Sequence, residues 1–354
     1  MERREFLKTV TTASALLMTG AQCRKTPALK PGDDKRWRGF NLLEKFTDKI
    51  NAPYRETDFA WMAEWGFNFV RLPMSYWCWS DVNDWTKFDE KVLKEIDQAV
   101  EFGRQYNIHV NLNFHRAPGY CVNTPREPVS LWENEKALEA TCLHWECFTK
   151  RYKGISSERL SFDLLNEPSD IPEQVYVRVV QAMVGAIRRY DAERLIFADG
   201  LRWGRTPVFG LKDLNIAQST RGYDPMQVSH YKADWIGESG LWPNPSWPLN
   251  SDEHIVWNKD MLHKEVIAPW LELEKQGVMV HVGEWGCYNQ TPHKTALAWM
   301  KDYLSLWKEV GWGWALWNFR GAFGILNSNR ADVKYEIFNG QKLDRKMLEL
   351  LQSF

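Results

Sequence analysis

The sequence predicts an α/β chain folded as one (β/α)8 TIM barrel, a single domain with extended loops at its C-terminal mouth. Three observations carry this expectation. Eight short apolar runs of strand length recur along the chain, and helical three- and four-residue apolar spacings lie between them. No glycine-rich phosphate loop follows the first strand, where a doubly wound open sheet would place one. The chain has 354 residues, and eight strand-helix units with some long loops fit that length.

Taken in order, residues 1–30 read as an address and not as part of the fold. Arg3-Arg4-Glu5-Phe6-Leu7-Lys8 has the form of a twin-arginine export motif; an apolar stretch from Val10 to Met18 and the small residues Thr19-Gly20-Ala21 follow it. The expected catalytic domain is then 31–354, exported to the periplasm or outside the cell. Cys23 raises lipid attachment as an option, although Gln22 before it fits such a signal poorly. The apolar stretch is too short to span a bilayer, so no membrane span is expected.

The strands are predicted at 37–41, 67–71, 109–114, 160–165, 195–198, 226–230, 278–283 and 313–317. Helical patterns occupy 89–106, with Val92, Leu93, Ile96, Ala99 and Val100 on one face, and 174–190, 295–310 and 343–351. Neither a linker nor an internal repeat divides them. Composition sets further bounds: 45 Lys and Arg against 46 Asp and Glu leave no cationic surplus for nucleic acid. Cys78, Cys121, Cys142, Cys147 and Cys287 are odd in number and form no CxxC pair, so neither a zinc site nor a disulfide is indicated.

In this fold, chemistry gathers where strands end. The polar and aromatic residues at those ends are Arg71, His115, Asn166 with Glu167, His230, Glu284 and Trp317. Two glutamates at strand ends are the minimum equipment for breaking a glycosidic acetal, since one carboxyl protonates the leaving oxygen and the other meets the oxocarbenium-like carbon. The 20 Trp, 12 Tyr and 17 Phe also suit a carbohydrate cleft, because the apolar faces of sugar rings stack on aromatic rings.

Arg-Leu-Pro at 71–73, Asn-Glu-Pro at 166–168, Gly-Glu-Trp-Gly at 283–286 and Trp-Asn-Phe at 317–319 occur in order on successive strand ends. On these motifs the chain, from about residue 37 to its end, resembles glycoside hydrolase family 5, the cellulase family of barrel glycosidases. The resemblance implies Glu167 as general acid and base and Glu284 as nucleophile, about 5 Å apart in a retaining enzyme. It implies that Arg71 steadies Glu284, that Asn166 bonds the sugar 2-hydroxyl, that His115 and His230 line the subsite and that Trp317 floors it. The family commonly carries His-x-Tyr on strand six, with the tyrosine near the nucleophile; here 230–232 read His-Tyr-Lys. Either His230 and Lys232 face the cleft, or Ser229 and Tyr231 do.

The implied activity is retaining hydrolysis of β-linked glucan-type poly- or oligosaccharides, by default as an endo-β-1,4-glucanase. An exo-acting β-glucosidase, a mannanase or a xylanase of the same family is the alternative, as is a barrel that binds carbohydrate without cleaving it. No metal or organic cofactor is implied, and a monomer is expected. The aromatic, proline-stiffened segment 234–260 and the segments 116–132 and 321–341 are expected to shape the cleft walls.

Overall fold

The computed structural model describes residues 36–252 and 255–354; the segment read from the sequence as an export signal, with Cys23, lies outside them. Eight parallel strands form one closed ring: β1 (Arg38–Asn41), β2 (Phe69–Ser75), β3 (His109–Ala117), β4 (Leu160–Asp163), β5 (Leu195–Asp199), β6 (Ala217–Gly222), β7 (Val280–Trp285) and β8 (Trp314–Leu316). The order runs β2-β1-β8-β7-β6-β5-β4-β3, and pairing of β2 with β3 closes it. The expected (β/α)8 barrel is therefore what this chain forms. Every residue of β2, β3 and β4 is buried, as strands covered on both faces require.

Helices pack outside the ring: α1 (Glu56–Glu64), α2 (Glu90–Gln105), α3 (Glu135–Arg151), α4 (Glu173–Arg188), α5 (Ala268–Glu274), α6 (His293–Val310) and α7 (Arg345–Gln352). On α2 the face read from the sequence is the one that is buried, with Val92, Leu93, Ile96, Ala99 and Val100 all inward. Asp89 caps this helix, accepting from the amides of Lys91 at 2.9 Å and Val92 at 3.4 Å. Asn134 does the same for α3 through the Ala137 amide at 3.0 Å.

Strand six departs from the expectation. Residues Met226–Ser229, expected as a strand, form one helical turn, and β6 lies earlier, at Ala217–Gly222. This strand is rich in polar residues, so hydropathy does not reveal it. The polar groups are satisfied inside the fold: Gln218 exchanges two hydrogen bonds with the Val208 backbone at 2.9 and 2.7 Å, and Thr220 donates to Gly204 O at 3.0 Å.

Two local features aim the strand ends. At Gly283-Glu284 the ladders from β7 to both neighbours slip in register, a bulge that re-directs the glutamate. Glu167 sits just past β4 with φ of +50°, in the left-handed region that non-glycine residues rarely adopt. Its amide donates to Asp199 Oδ2 at 2.8 Å, which helps hold that conformation.

Candidate active site

At the C-terminal mouth two arginines organise everything else. Arg71, from β2, donates through Nε to Asp163 Oδ2 at 2.7 Å, through Nη1 to Asn41 Oδ1 at 3.1 Å and Glu284 Oε1 at 2.6 Å, and through Nη2 to Asn166 Oδ1 at 2.9 Å. Arg221, from β6, donates through Nε to Glu167 Oε1 at 3.0 Å and through Nη2 to Asn166 Oδ1 at 2.9 Å, and it forms a buried ion pair with Asp199. Its Nη2 also lies 3.5 Å from Glu284 Oε1. Glu167, just past β4, and Glu284, within β7, thus rest on a single guanidinium.

Glu284 receives a second contact on its other oxygen, where the Tyr223 hydroxyl donates to Oε2 at 3.2 Å. The tyrosine beside Glu284 is therefore Tyr223, in Arg221-Gly222-Tyr223, and Tyr231 does not take that place. Tyr231 is buried after the helical turn, with the Lys232 ammonium 5.1 Å above its ring. Both alternatives for strand six fail for one reason: the strand ends at Gly222, before either residue set. His230 reaches the edge of the site through Tyr223, their rings 4.9 Å apart, and its Nδ1 meets Ser229 Oγ at 2.8 Å.

His115 and Trp317 lie together, stacked at 5.7 Å and 22°, with Phe46 packed against both. His115 Nε2 lies 3.0 Å from Asn123 Nδ2 and 3.4 Å from Asn166 Nδ2. Burial, and then the nearby Arg71, Arg221 and Arg116, hold its imidazole well below the usual histidine range, so it is neutral. Burial likewise lowers His230 to about 4.

The charges nearly balance. Two guanidinium cations face four carboxyls: Asp163, Glu167, Asp199 and Glu284. Burial, followed by repulsion from Glu284, pushes Glu167 up to about 7, against the pull of Arg221. Burial and then Asp199 raise Asp163 to about 7. With protons on these two groups, two cations meet two anions, a combination that a buried cluster tolerates. Among the described residues, no group of His, Cys, Asp and Glu is placed to hold a metal ion.

Asn41, Asp163, Asp199, Arg221 and Tyr223 are the members that the sequence reading passes over. Asp199 was within reach of the same rule that found the others, since it ends β5 one residue past the predicted run. Arg221 and Tyr223 were concealed by the mislocated strand six. Near Glu167 lies a cavity of about 430 Å³, lined by Tyr120, Arg126, Glu127, Trp132, Ser169 and Trp203 among others. The Tyr120 hydroxyl donates to the backbone oxygens of Asn166 and Glu167 at 2.9 and 2.7 Å, tying this wall to the glutamate. Arg202 and Trp203 both have positive φ, 53° and 59°, and Trp203 is left 42% exposed on the rim.

Comparison with known proteins gives the family and the fold. The model of the family described as cellulase (glycosyl hydrolase family 5) matches residues 29–322. Endoglucanase C of Acetivibrio thermocellus is 27% identical over 310 residues, covering 80% of this chain and 89% of its own. A solved structure described as a glycoside hydrolase is 40% identical with a TM-score of 0.85, covering 90% of this chain and 99% of that one. Thermotoga maritima Cel5A, solved as a mutant in complex with cellobiose, is 20% identical with a TM-score of 0.73 over 89% of this chain and 96% of its own, a likeness of fold.

Proposed function

The chain belongs to glycosyl hydrolase family 5, a glycosidase acting on O-glycosyl bonds, and from this we propose that it is a retaining β-glucan hydrolase, by default an endo-β-1,4-glucanase. One observation carries the reading most directly: Glu167 and Glu284 lie on one guanidinium, and burial with repulsion from Glu284 pushes Glu167 up to about 7. A carboxyl that keeps its proton near neutrality can serve as the acid, and its neighbour, held on both oxygens, as the nucleophile.

In the first step Glu284 attacks the anomeric carbon while the Glu167 proton passes to the glycosidic oxygen; the C–O bond breaks and a glycosyl ester remains on Glu284. In the second, water attacks that carbon, its proton goes to Glu167 and the ester bond breaks, restoring both groups with configuration retained. Asn166 accepts from both arginines through Oδ1, which leaves its amide to donate to the sugar 2-hydroxyl. Trp317 offers a stacking floor beside neutral His115.

The arginines are spent on protein carboxyls, so the cleft suits an uncharged sugar. The leaving-group sugar belongs on the acid's side, where the cavity between Trp132 and Trp203 has the size of a small-ligand site. Residues 1–30 are proposed as the export signal and 31–354 as the catalytic domain. Among the described residues no helix is long and apolar enough to cross a membrane.

The test is product analysis on β-glucan, mannan, xylan and short oligosaccharides, with Glu284→Gln alongside. Ladders of intermediate length from β-1,4-glucan, formed with retained anomeric configuration and lost by at least about 10⁴-fold in the variant, support the reading. Monomer alone replaces endo with exo action, and an inverted product or an active variant overturns the mechanism.

A further inference from the structure

We propose that Arg221 is a positioning residue for the whole catalytic cycle, the one cation that stays in contact with the negative charge as it passes between Glu284 and Glu167. This rests on the double-displacement reading above. In the resting site the charge sits on Glu284, 3.5 Å from Arg221 Nη2. After the first step Glu284 is a neutral ester and Glu167, having given its proton to the departing oxygen, is the anion; it faces Arg221 Nε at 3.0 Å. When water adds in the second step, its proton neutralises Glu167 and the charge returns to Glu284. Arg71 touches Glu284 but not Glu167 among the ion pairs of the described residues.

The site is built around this side chain. Arg221 is buried, with 1% of its side chain exposed, and all its donor nitrogens face protein acceptors: Glu167, Asn166, both oxygens of Asp199, Ser219 Oγ and Thr220 O. It is therefore not waiting for a ligand. Two glycines make room for it. A Cβ on Gly204, which has φ of +78°, would lie 2.6 Å from Arg221 Cγ, and one on Gly283, next to the nucleophile, would lie 2.8 Å from Nη1. Asp199 pairs with Arg221 and also accepts the Glu167 amide, so the guanidinium and the glutamate backbone share one anchor.

The groups facing Glu167 are Glu284 from β7, Arg221 from β6, Asp199 from β5, Arg205 from the loop after β5, Tyr120 from the loop after β3 and Tyr223 just past β6. Of these only the two arginines favour an ionised Glu167, and only Arg221 bonds it. Removal of Arg221 should therefore hurt the second step, which needs Glu167 as a base, more than the first.

An aryl β-glycoside with a strongly activated phenol separates the steps, since its departure needs no proton. For it kcat/KM reports attack by Glu284, and kcat reports hydrolysis of the ester once that step is slower. Expected for Arg221→Gln are a kcat lower by about tenfold or more, an acid limb of the kcat–pH profile moved up by at least about one unit, and kcat/KM within about threefold. Arg221→Lys, which keeps the cation, should hold the limb in place. Asp199→Asn/Arg221→Gln removes the buried pair together and should reproduce the shifted limb without leaving an orphaned carboxylate. Equal losses of kcat and kcat/KM with unmoved limbs in the charge-removing variants overturn the proposal, as do limbs shared by the double variant and Arg221→Lys. Wild-type turnover in Glu284→Gln would instead overturn the underlying mechanism, whatever Arg221 does.

Discussion

The proton on Glu167 has the most direct consequence for rate. Its usual value of 4.5 is raised to about 7 in the fold, so the acid form is filled below about pH 7 and empties above it. For substrates whose leaving group needs protonation, kcat/KM should fall about tenfold per pH unit above that point. Glu167→Gln should abolish this basic limb and cost roughly 10²–10⁴-fold on such substrates, while an activated aryl glycoside loses far less in the first step. A limb that persists in Glu167→Gln would assign the proton elsewhere. At this scale the sequence was readable wherever polar residues closed an apolar run at a strand's end: Arg71, Asn166, Glu167 and Glu284 were all visible so. Asp163 was not, because it lies inside such a run and is identified only by its contact with Arg71.

Among the elements, seven strands lay close to where apolar patterning put them, and the sixth did not. Patterning detects burial against hydrocarbon, and β6 buries Gln218, Ser219, Thr220 and Arg221 against hydrogen-bond partners instead. The segment mistaken for it, Met226–Ser229, alternates like a strand but follows Pro225 and closes one helical turn. The loops after β3 and β5 carry the element-scale prediction. Trp203 stands on the rim of the cavity beside Glu167, and a ring that stacks on the leaving-group sugar contributes about 0.5–1.5 kcal/mol. Trp203→Ala should thus raise KM for cellotetraose-length substrates by about 2- to 12-fold and leave kcat/KM for an aryl glucoside unchanged. Equal effects on both substrates would place Trp203 outside the sugar path.

For the whole molecule, buried titratable groups of both kinds set the response to pH. Burial lowers His109 and His281 to about 3, His144 and His230 to about 4, and His115 well below its usual value. The unfolded chain binds those protons near pH 6.5, so each histidine removes stability as pH falls below that value. Burial raises Glu44, Glu274, Glu167 and Asp163 to about 7, and here the folded chain binds the protons, so each of these adds stability as pH falls through 7 toward 4.5. Over pH 4.5–6.5 the two sets oppose each other. Thermal unfolding should give a nearly level Tm across that window and a decline below it, where the histidines still titrate and carboxylates held low by their partners, such as Glu90, Glu309 and Glu336, take up protons and lose those pairs; a steep slope within the window would contradict the balance. The barrel class itself was legible from strand count and alternation, because a closed ring needs only local patterns repeated eight times.

That ring joins the first strand of the barrel to the last. β1, beginning at Arg38, pairs with β8, beginning at Trp314; Glu167 stands just past β4 and Glu284 on β7, with their arginines on β2 and β6. Neither half of the chain holds a working set, since residues before β5 lack Glu284 and Arg221, and those after it lack Glu167 and Arg71. Contacts this remote in sequence carry a large loop-closure cost and slow folding. Hydrolysis is therefore also a report on assembly: a nascent or half-folded chain carries no hazard of premature chemistry, and a chain that turns over substrate has completed its ring.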